Sequence, residues 1–267
     1  MATNGPMRSC LILGCGRSGT SLAAGLLANA GYFMGDAVDA SGLRPGNPKG
    51  QFEDHEVNAI NEDLLGPPMR RYRRRLITRV FRRRQRRELK LHYPQRWLAA
   101  LPASVRVSGT QEIAGRIGSV VVRAPFCFKD PRFSYTLDVW RPFVRDAVFI
   151  CAFRHPAVTA ASIVTECRIA RYLSDVTMDY ERALRIWDRA YRYILRVHHP
   201  GGGDWIFVHY DQLMDGSKLA EVEETLGVRI DRAFRDPDLR RSTGAGLVPG
   251  RESALYRRLC ELAGHRP

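Results

Sequence analysis

The chain of 267 residues lacks any apolar run of the roughly 18–20 residues that a membrane-spanning helix requires. Its first nine residues are short and polar, without the apolar centre of a secretory leader. No Cys-x-x-Cys pair occurs and the His residues show no metal-ligand spacing, so no zinc or iron–sulfur frame is expected. The six cysteines, Cys10, Cys15, Cys127, Cys151, Cys167 and Cys260, are scattered, several of them in apolar runs. They read as buried free thiols of a reducing cytoplasm rather than as a disulfide framework. No internal repeat is visible. Acid is scarce in one place above all. The stretch 70–90 holds eleven Arg and one Lys against one Glu, and it supplies most of a formal net charge of +14.

What is present reads as one soluble domain, 1–267, long enough to bury a sizeable core, with 67–100 a basic helical insertion. Apolar runs end in glycine or basic residues and are followed by helical patterns. Leu11–Leu13 leads into Gly14-Cys15-Gly16-Arg17-Ser18-Gly19-Thr20-Ser21, and Ser21 to Ala30 follows with a helical pattern. That order is strand, glycine loop, helix N-terminus. The glycines let the backbone approach an anion, and the first helical N–H groups and the helix dipole point at it. Gly14 and Gly19 keep the Walker spacing, but Thr20 stands where the Lys of such a loop belongs. The loop's one strong cation is Arg17. A loop of this kind holds a phosphate without the Lys that moves a triphosphate's terminal group with Mg²⁺.

A second anion site fits the first. Asp146 to Phe153 is an apolar run ending at Arg154-His155-Pro156, and Ser162 lies in the helical stretch beyond it. Arg154 offers a charged fork and Ser162 a hydroxyl, so both can converge on one phosphate. An Arg paired with a nearby carboxylate and a solvated Ser would give the same spacing. Two sites together suggest a ligand with two separated phosphates.

These residues resemble the sulfotransferases that use 3′-phosphoadenosine 5′-phosphosulfate (PAPS), bacterial type. The GCGRSGTS loop is similar to that family's 5′-phosphosulfate loop, and Arg154 with Ser162 to its 3′-phosphate site. Asn47-Pro48-Lys49-Gly50-Gln51-Phe52-Glu53-Asp54, Lys129-Asp130-Pro131-Arg132, Leu239-Arg240-Arg241-Ser242 and Leu255-Tyr256 also fit. The likeness spans about Leu11 to Gly264, with a gap over roughly Pro67 to Ala100. It implies a P-loop-like three-layer α/β/α fold around a parallel sheet, PAPS as donor, adenosine 3′,5′-bisphosphate (PAP) as product, and no metal. Gly16, Arg17, Ser18, Gly19, Thr20 and Ser21 would hold the 5′-phosphosulfate. Arg154 and Ser162 would hold the 3′-phosphate, and a late basic loop at Arg240 and Arg241 would close over it. That loop lacks the glycine-rich Arg-Lys-Gly pattern of many relatives.

Sulfuryl transfer needs a cation beside the leaving phosphate oxygen and a base for the acceptor's proton. Arg17 and Lys129 are the candidate cations. Glu53, Asp54 and His55 are the candidate bases. The resemblance favours Glu53, because relatives that use a His two residues beyond the Lys would need it at 131, where this chain has Pro131. Asp54 also suits a helix N-cap. Cys15, inside the loop, is read as a small side chain rather than a reactive thiol.

Arg70 to Lys90 carries apolar residues near helical spacing at Tyr72, Leu76, Val80 and Phe81, and Leu89, after a breaker at Gly66-Pro67-Pro68. It reads as a basic amphipathic helix that covers the acceptor entrance, lies on an anionic membrane, or simply docks on its own domain. No nucleic-acid module surrounds it. Elsewhere Gly31 to Gly35 suggests a short extended segment. Ser134 to Arg145, Asp179 to Val197, Asp211 to Leu226 and Ser253 to Ala263 read as helices, and Trp205 to His209 as a buried strand. A sugar, glycolipid, phenol or other small-molecule acceptor is compatible. A kinase with an aberrant loop and a non-catalytic polyanion binder stay open as alternatives.

Overall fold

Leu11–Leu13, the run ending at Phe153 and Trp205 to His209 are strands, as their apolar character predicts, and a fourth strand ends on Lys129. The computed structural model describes residues 6–36, 50–79, 90–234 and 246–266. β1 (Cys10–Leu13), β2 (Cys127–Lys129), β3 (Val148–Phe153) and β4 (Asp204–His209) form one sheet in the order β2-β1-β3-β4, every pairing parallel. β1, β2 and β3 are buried at every position, which is why they read as continuous apolar runs instead of alternating ones. The period-2 pleat divides their side chains between two cores. Cys10, Ile12, Val148, Ile150, Ile206 and Val208 face one layer, packed with α1 (Thr20–Asn29) and α8 (Leu219–Leu226). Leu11, Leu13, Phe149, Cys151, Phe153 and Phe207 face the other, a larger core.

That larger core takes side chains from α2 (His55–Arg79), α4 (Phe133–Trp140), α5 (Pro156–Ile169), α6 (Tyr180–Tyr193) and α9 (Gly250–Ala263). Helices on both faces of a parallel sheet make the expected three-layer α/β/α arrangement of P-loop-like type. Leu184, Trp187, Tyr191 and Ile194 are buried in it, as their helical spacing predicts. Asp179 caps α6 by accepting from the Arg182 N–H at 2.7 Å. All six cysteines are buried and free. Burial pushes the Cys15 thiol far above its ordinary range, in line with an inert side chain.

Three details depart from the sequence reading. Gly66-Pro67-Pro68 does not break a helix: α2 runs through both prolines without interruption. Their missing N–H groups forfeit two ladder bonds. Leu64 and Leu65, 2% and 0% exposed, anchor the same turn in the core and hold the helix across them. Asp211 to Leu226 is not one helix but α7 (Tyr210–Asp215) and α8, separated at Gly216, whose φ of 84° is a left-handed helix stop. The third is α3 (Gln111–Val120), capped by the Thr110 hydroxyl, which no sequence signal singled out. The extended segment near Gly31 to Gly35 reduces to one parallel bridge, Phe33 to Phe126.

Residues 80–89, and with them Val80, Phe81 and Leu89 of the basic stripe, lie outside the described residues, as do Asn47 to Lys49, Arg240 and Arg241. No helix among the described residues is long and apolar enough to cross a membrane.

Candidate functional site

All four strands deliver chemistry at their carboxyl ends, where the strand order of an open α/β sheet leaves a crevice. β1 opens into the glycine loop, β2 ends on Lys129, β3 leads to Arg154, and β4 leads to Tyr210. A cavity of about 320 Å³ lies there. The loop lines it with Gly16, Arg17, Thr20 and Ser21, and Glu53 and Lys129 line it as well.

The loop is fastened by three helices, α4, α5 and α6. The Gly14 N–H donates to Ser134 Oγ at 3.2 Å, and the Cys15 N–H donates to the Tyr191 hydroxyl at 3.2 Å. That hydroxyl donates in turn to the Ala152 carbonyl at 2.8 Å. Ser18, fully buried, shares a hydrogen bond with Thr159 at 3.3 Å, so its hydroxyl faces the core and not the cavity. Gly19 precedes α1 and gives it no side-chain cap, which leaves the first-turn N–H groups of Thr20 and Ser21 for a ligand. Gly16 is required by contact: a Cβ there would sit 2.5 Å from Trp97 Cε3.

Arg17 occupies the left-handed region with φ 69°, a strained conformation for a side chain that recurs where ligands are clamped. Its Nε donates to Ser162 Oγ at 3.2 Å, and its Nη1 lies 3.6 Å from the buried Glu166 carboxylate. The two anion sites of the sequence reading are therefore joined through Arg17 and Ser162. Arg154 does not line the cavity. Its guanidinium lies over the Tyr210 ring, 4.1 Å from the centroid, and Tyr210 packs against the Gly19 turn.

Glu53 and Lys129, singled out separately in the sequence, are hydrogen-bonded partners. Lys129 is 2% exposed, so its ammonium depends on this carboxylate. Asn58 donates to the other Glu53 oxygen at 2.8 Å. Burial raises the Glu53 carboxyl, but the Lys129 and Arg132 charges and the two hydrogen bonds outweigh it and hold it below the usual range. Asp54 is spent on capping: its Oδ1 accepts from the Val57 N–H at 2.8 Å. His55 is exposed and lines the cavity. A lowered carboxyl stabilises the fold above the ordinary carboxylate range, and that stabilisation is lost as pH falls through the lowered value. A melting-temperature profile against pH should accordingly show a flatter acid limb in Glu53→Gln than in the parent chain. An unchanged limb would mean the pair adds nothing to stability.

Behind this pair sits a buried ionic cluster. Arg132 donates to Glu62 at 2.7 Å, to Asp130 at 3.0 Å and to the Pro94 carbonyl at 2.8 Å. Asn61 bridges Asp130 to Thr136 and Trp140. Glu62 also takes Arg96 Nη1 at 2.8 Å. The cluster fixes the segment 94–97, which forms the outer wall with Tyr93, Trp97 and Tyr172. Trp97 Nε1 donates to the Tyr172 hydroxyl at 3.2 Å.

Trp97, Tyr172, Glu166 and Tyr210 were not legible as site residues. They come from segments far apart in sequence, and none lies in a motif. A sequence with no metal spacing still yields one grouping in space among the described residues: His209, Asp211 and His265 bring potential ligand atoms within 4.8 Å of one another. Both His209 ring nitrogens are already occupied, by the Asp211 N–H and the Tyr256 hydroxyl, and the trio is not part of the cavity.

A sulfotransferase family model matches residues 10–231. Among solved structures the chain is similar to the sulfotransferase domain of the Synechococcus PCC 7002 olefin synthase, with 17% identity and a TM-score of 0.49, covering 98% of this chain and 96% of that one. It is similar also to the sulfotransferase domain of the curacin biosynthetic pathway, with 12% identity, a TM-score of 0.48 and coverage of 98% and 99%. A sulfotransferase from Mycobacterium avium matches at 14% identity and a TM-score of 0.40, covering 97% and 69%. No curated protein matches.

Proposed function

The chain belongs to the sulfotransferase family, and on that footing we propose that it moves a sulfuryl group from PAPS to a hydroxyl or amine of a small-molecule, glycan or glycolipid acceptor. The observation that carries the reading is that two sets of groups line one cavity. One is the glycine loop with Arg17, and the other is the hydrogen-bonded Glu53–Lys129 pair.

In this reading the first-turn N–H groups of α1 and Arg17 hold the phosphosulfate, with Gly16, Ser18, Gly19, Thr20 and Ser21 shaping the loop. Arg154 and Ser162 hold the 3′-phosphate. Arg240 and Arg241 lie outside the described residues. Lys129 stabilises the negative charge that grows on the leaving phosphate oxygen. Glu53 takes the acceptor's proton as the new S–O bond forms and the bond from sulfur to the phosphate oxygen breaks. The ion pair gives the order of events. While Lys129 holds Glu53, the carboxylate is a weak base. A phosphosulfate beside Lys129 competes for its ammonium and returns basicity to Glu53. No metal ion is needed for this division of labour.

Trp97, Tyr172, Tyr93 and Pro131 give the acceptor side flat, partly apolar walls. They suit a phenol ring or the CH face of a sugar. The chain is then one domain, and Tyr93, Pro94 and Trp97 supply part of its acceptor-side wall. Incubation with sulfur-radiolabelled PAPS and a panel of phenols and glycosides, without added metal, should move label to an acceptor and release PAP. Transfer of the terminal phosphoryl of ATP, with no label moved, would overturn the reading in favour of a kinase.

A further inference from the structure

A second cavity, of about 170 Å³, lies between the later half of α2 and the segment that follows Lys90. Among the described residues its charged lining is of one sign. Arg70, Arg73, Lys90 and Arg96 border it together with His92, and no described Asp or Glu does. About 10–15 Å³ of such space already admits one water, so a tetrahedral anion fits with room to spare.

Two of these cations come together over Gly66. A Cβ placed there would lie 3.2 Å from Arg70 Nη1 and 3.7 Å from Arg96 Nη2, so both guanidinium groups reach the same point on α2. Arg96 commits its Nη1 to Glu62, a carboxylate that also serves Arg132, which leaves the Nη2 side turned toward Gly66 and Arg70. Among the described residues no carboxylate pairs with Arg70, Arg73 or Lys90. Like charges gathered at a partly covered concavity repel one another unless an anion sits between them. Guanidinium forks recognise phosphate and sulfate oxygens in pairs.

We propose that this cavity is a binding site for a phosphate- or sulfate-ester group, separate from the phosphate loop. Its position gives it a purpose. One wall, the segment 90–97, is shared with the larger cavity: Tyr93, Pro94 and Trp97 face that cavity while Lys90, His92 and Arg96 face this one. An acceptor with an anionic group remote from its reacting hydroxyl can span both. So can a membrane lipid whose headgroup is held here. The inference rests on the charge and shape of this cavity and not on the sulfotransferase reading.

The test is calorimetric titration of inorganic tripolyphosphate into the full chain, with the phosphate loop first saturated by PAP, or by Mg-ATP should the loop take that instead. One saturable site is expected. Its Kd should rise about tenfold or more in an Arg70→Ala, Arg73→Ala double variant, the worth of a charge-assisted hydrogen bond or two. The nucleotide affinity of that variant should be unchanged, which also shows that it folds. The Arg82→Ala, Arg83→Ala pair removes equal charge from the neighbouring Arg run and should leave the Kd within about twofold. No saturable binding, or equal weakening by both pairs, would overturn the proposal by reducing the effect to a diffuse basic field. Competition by phosphatidylserine vesicles, but not by phosphatidylcholine vesicles, would identify the held group as a lipid headgroup. Indifference to both would identify a soluble ester.

Discussion

Glu53→Gln is expected to lower sulfuryl turnover by about 10²–10⁴-fold, the usual worth of a positioned general base, with PAP affinity unchanged. The substitution keeps the side chain's shape and an oxygen to accept from Asn58 or Lys129, but it removes the charge and the capacity to take a proton. Lys129, 2% exposed, then loses its anion. Some loss of thermal stability is expected for that reason, and PAP affinity separates a folded variant from a collapsed one. Single-turnover rates with preformed donor complex check the claim most cleanly, since they isolate the chemical step from product release. Unchanged turnover would move the base elsewhere. His55 is then the next candidate, because it lines the same cavity and is exposed, whereas Asp54 is committed to the N-terminus of α2.

Arg132→Met is expected to destabilise the fold by about 3–5 kcal/mol, the cost of stripping one partner from a buried ionic cluster. Arg132 is 4% exposed, and its partners Glu62 and Asp130 are wholly buried. Asp130 has no other cation among its hydrogen bonds, and burial already lifts its carboxyl above the ordinary range despite Arg132. Removal of the guanidinium leaves that carboxyl to protonate or to admit water. Glu62 keeps Arg96, so the loss is carried mainly on the Asp130 side. Arg132→Lys should recover only part of the stability, because an ammonium cannot span Glu62, Asp130 and the Pro94 carbonyl as a planar fork does. Urea unfolding of the three chains measures this. A loss below about 1 kcal/mol, the range of an exposed pair, would show that the cluster is solvated.

Much of this was legible in the sequence, and the physical reason is local. β1 and β3 are apolar runs terminated by Gly14 and Arg154, so strand, loop and helix follow within a dozen residues, and each signal is read in one window. Lys129 and Glu53 were singled out in the sequence as a candidate cation and a candidate base. Their pairing was not, since Glu53 and Lys129 lie 76 positions apart and meet only because the start of α2 crosses the end of β2. Prolines at 67 and 68 read as a breaker because local propensity opposes a helix there. Tertiary burial of Leu64 and Leu65 overrode it. The break at Gly216 shows the opposite case, in which Asp215-Gly216-Ser217 carried a turn signal strong enough to stop a helix that apolar spacing alone extends. The aromatic wall of Trp97 and Tyr172 had no signal at all, because each residue is defined by what it packs against.

The proposed function requires that the glycine loop, Arg154 and Ser162 take a nucleotide with two separated phosphates. Calorimetric titration with PAP, against Mg-ATP, tests it most directly. Tight, metal-independent binding of PAP is expected, weakened about tenfold or more by Arg154→Ala as a charge-assisted hydrogen bond is lost, with weak binding of Mg-ATP. Tight binding of Mg-ATP with indifference to PAP would contradict it.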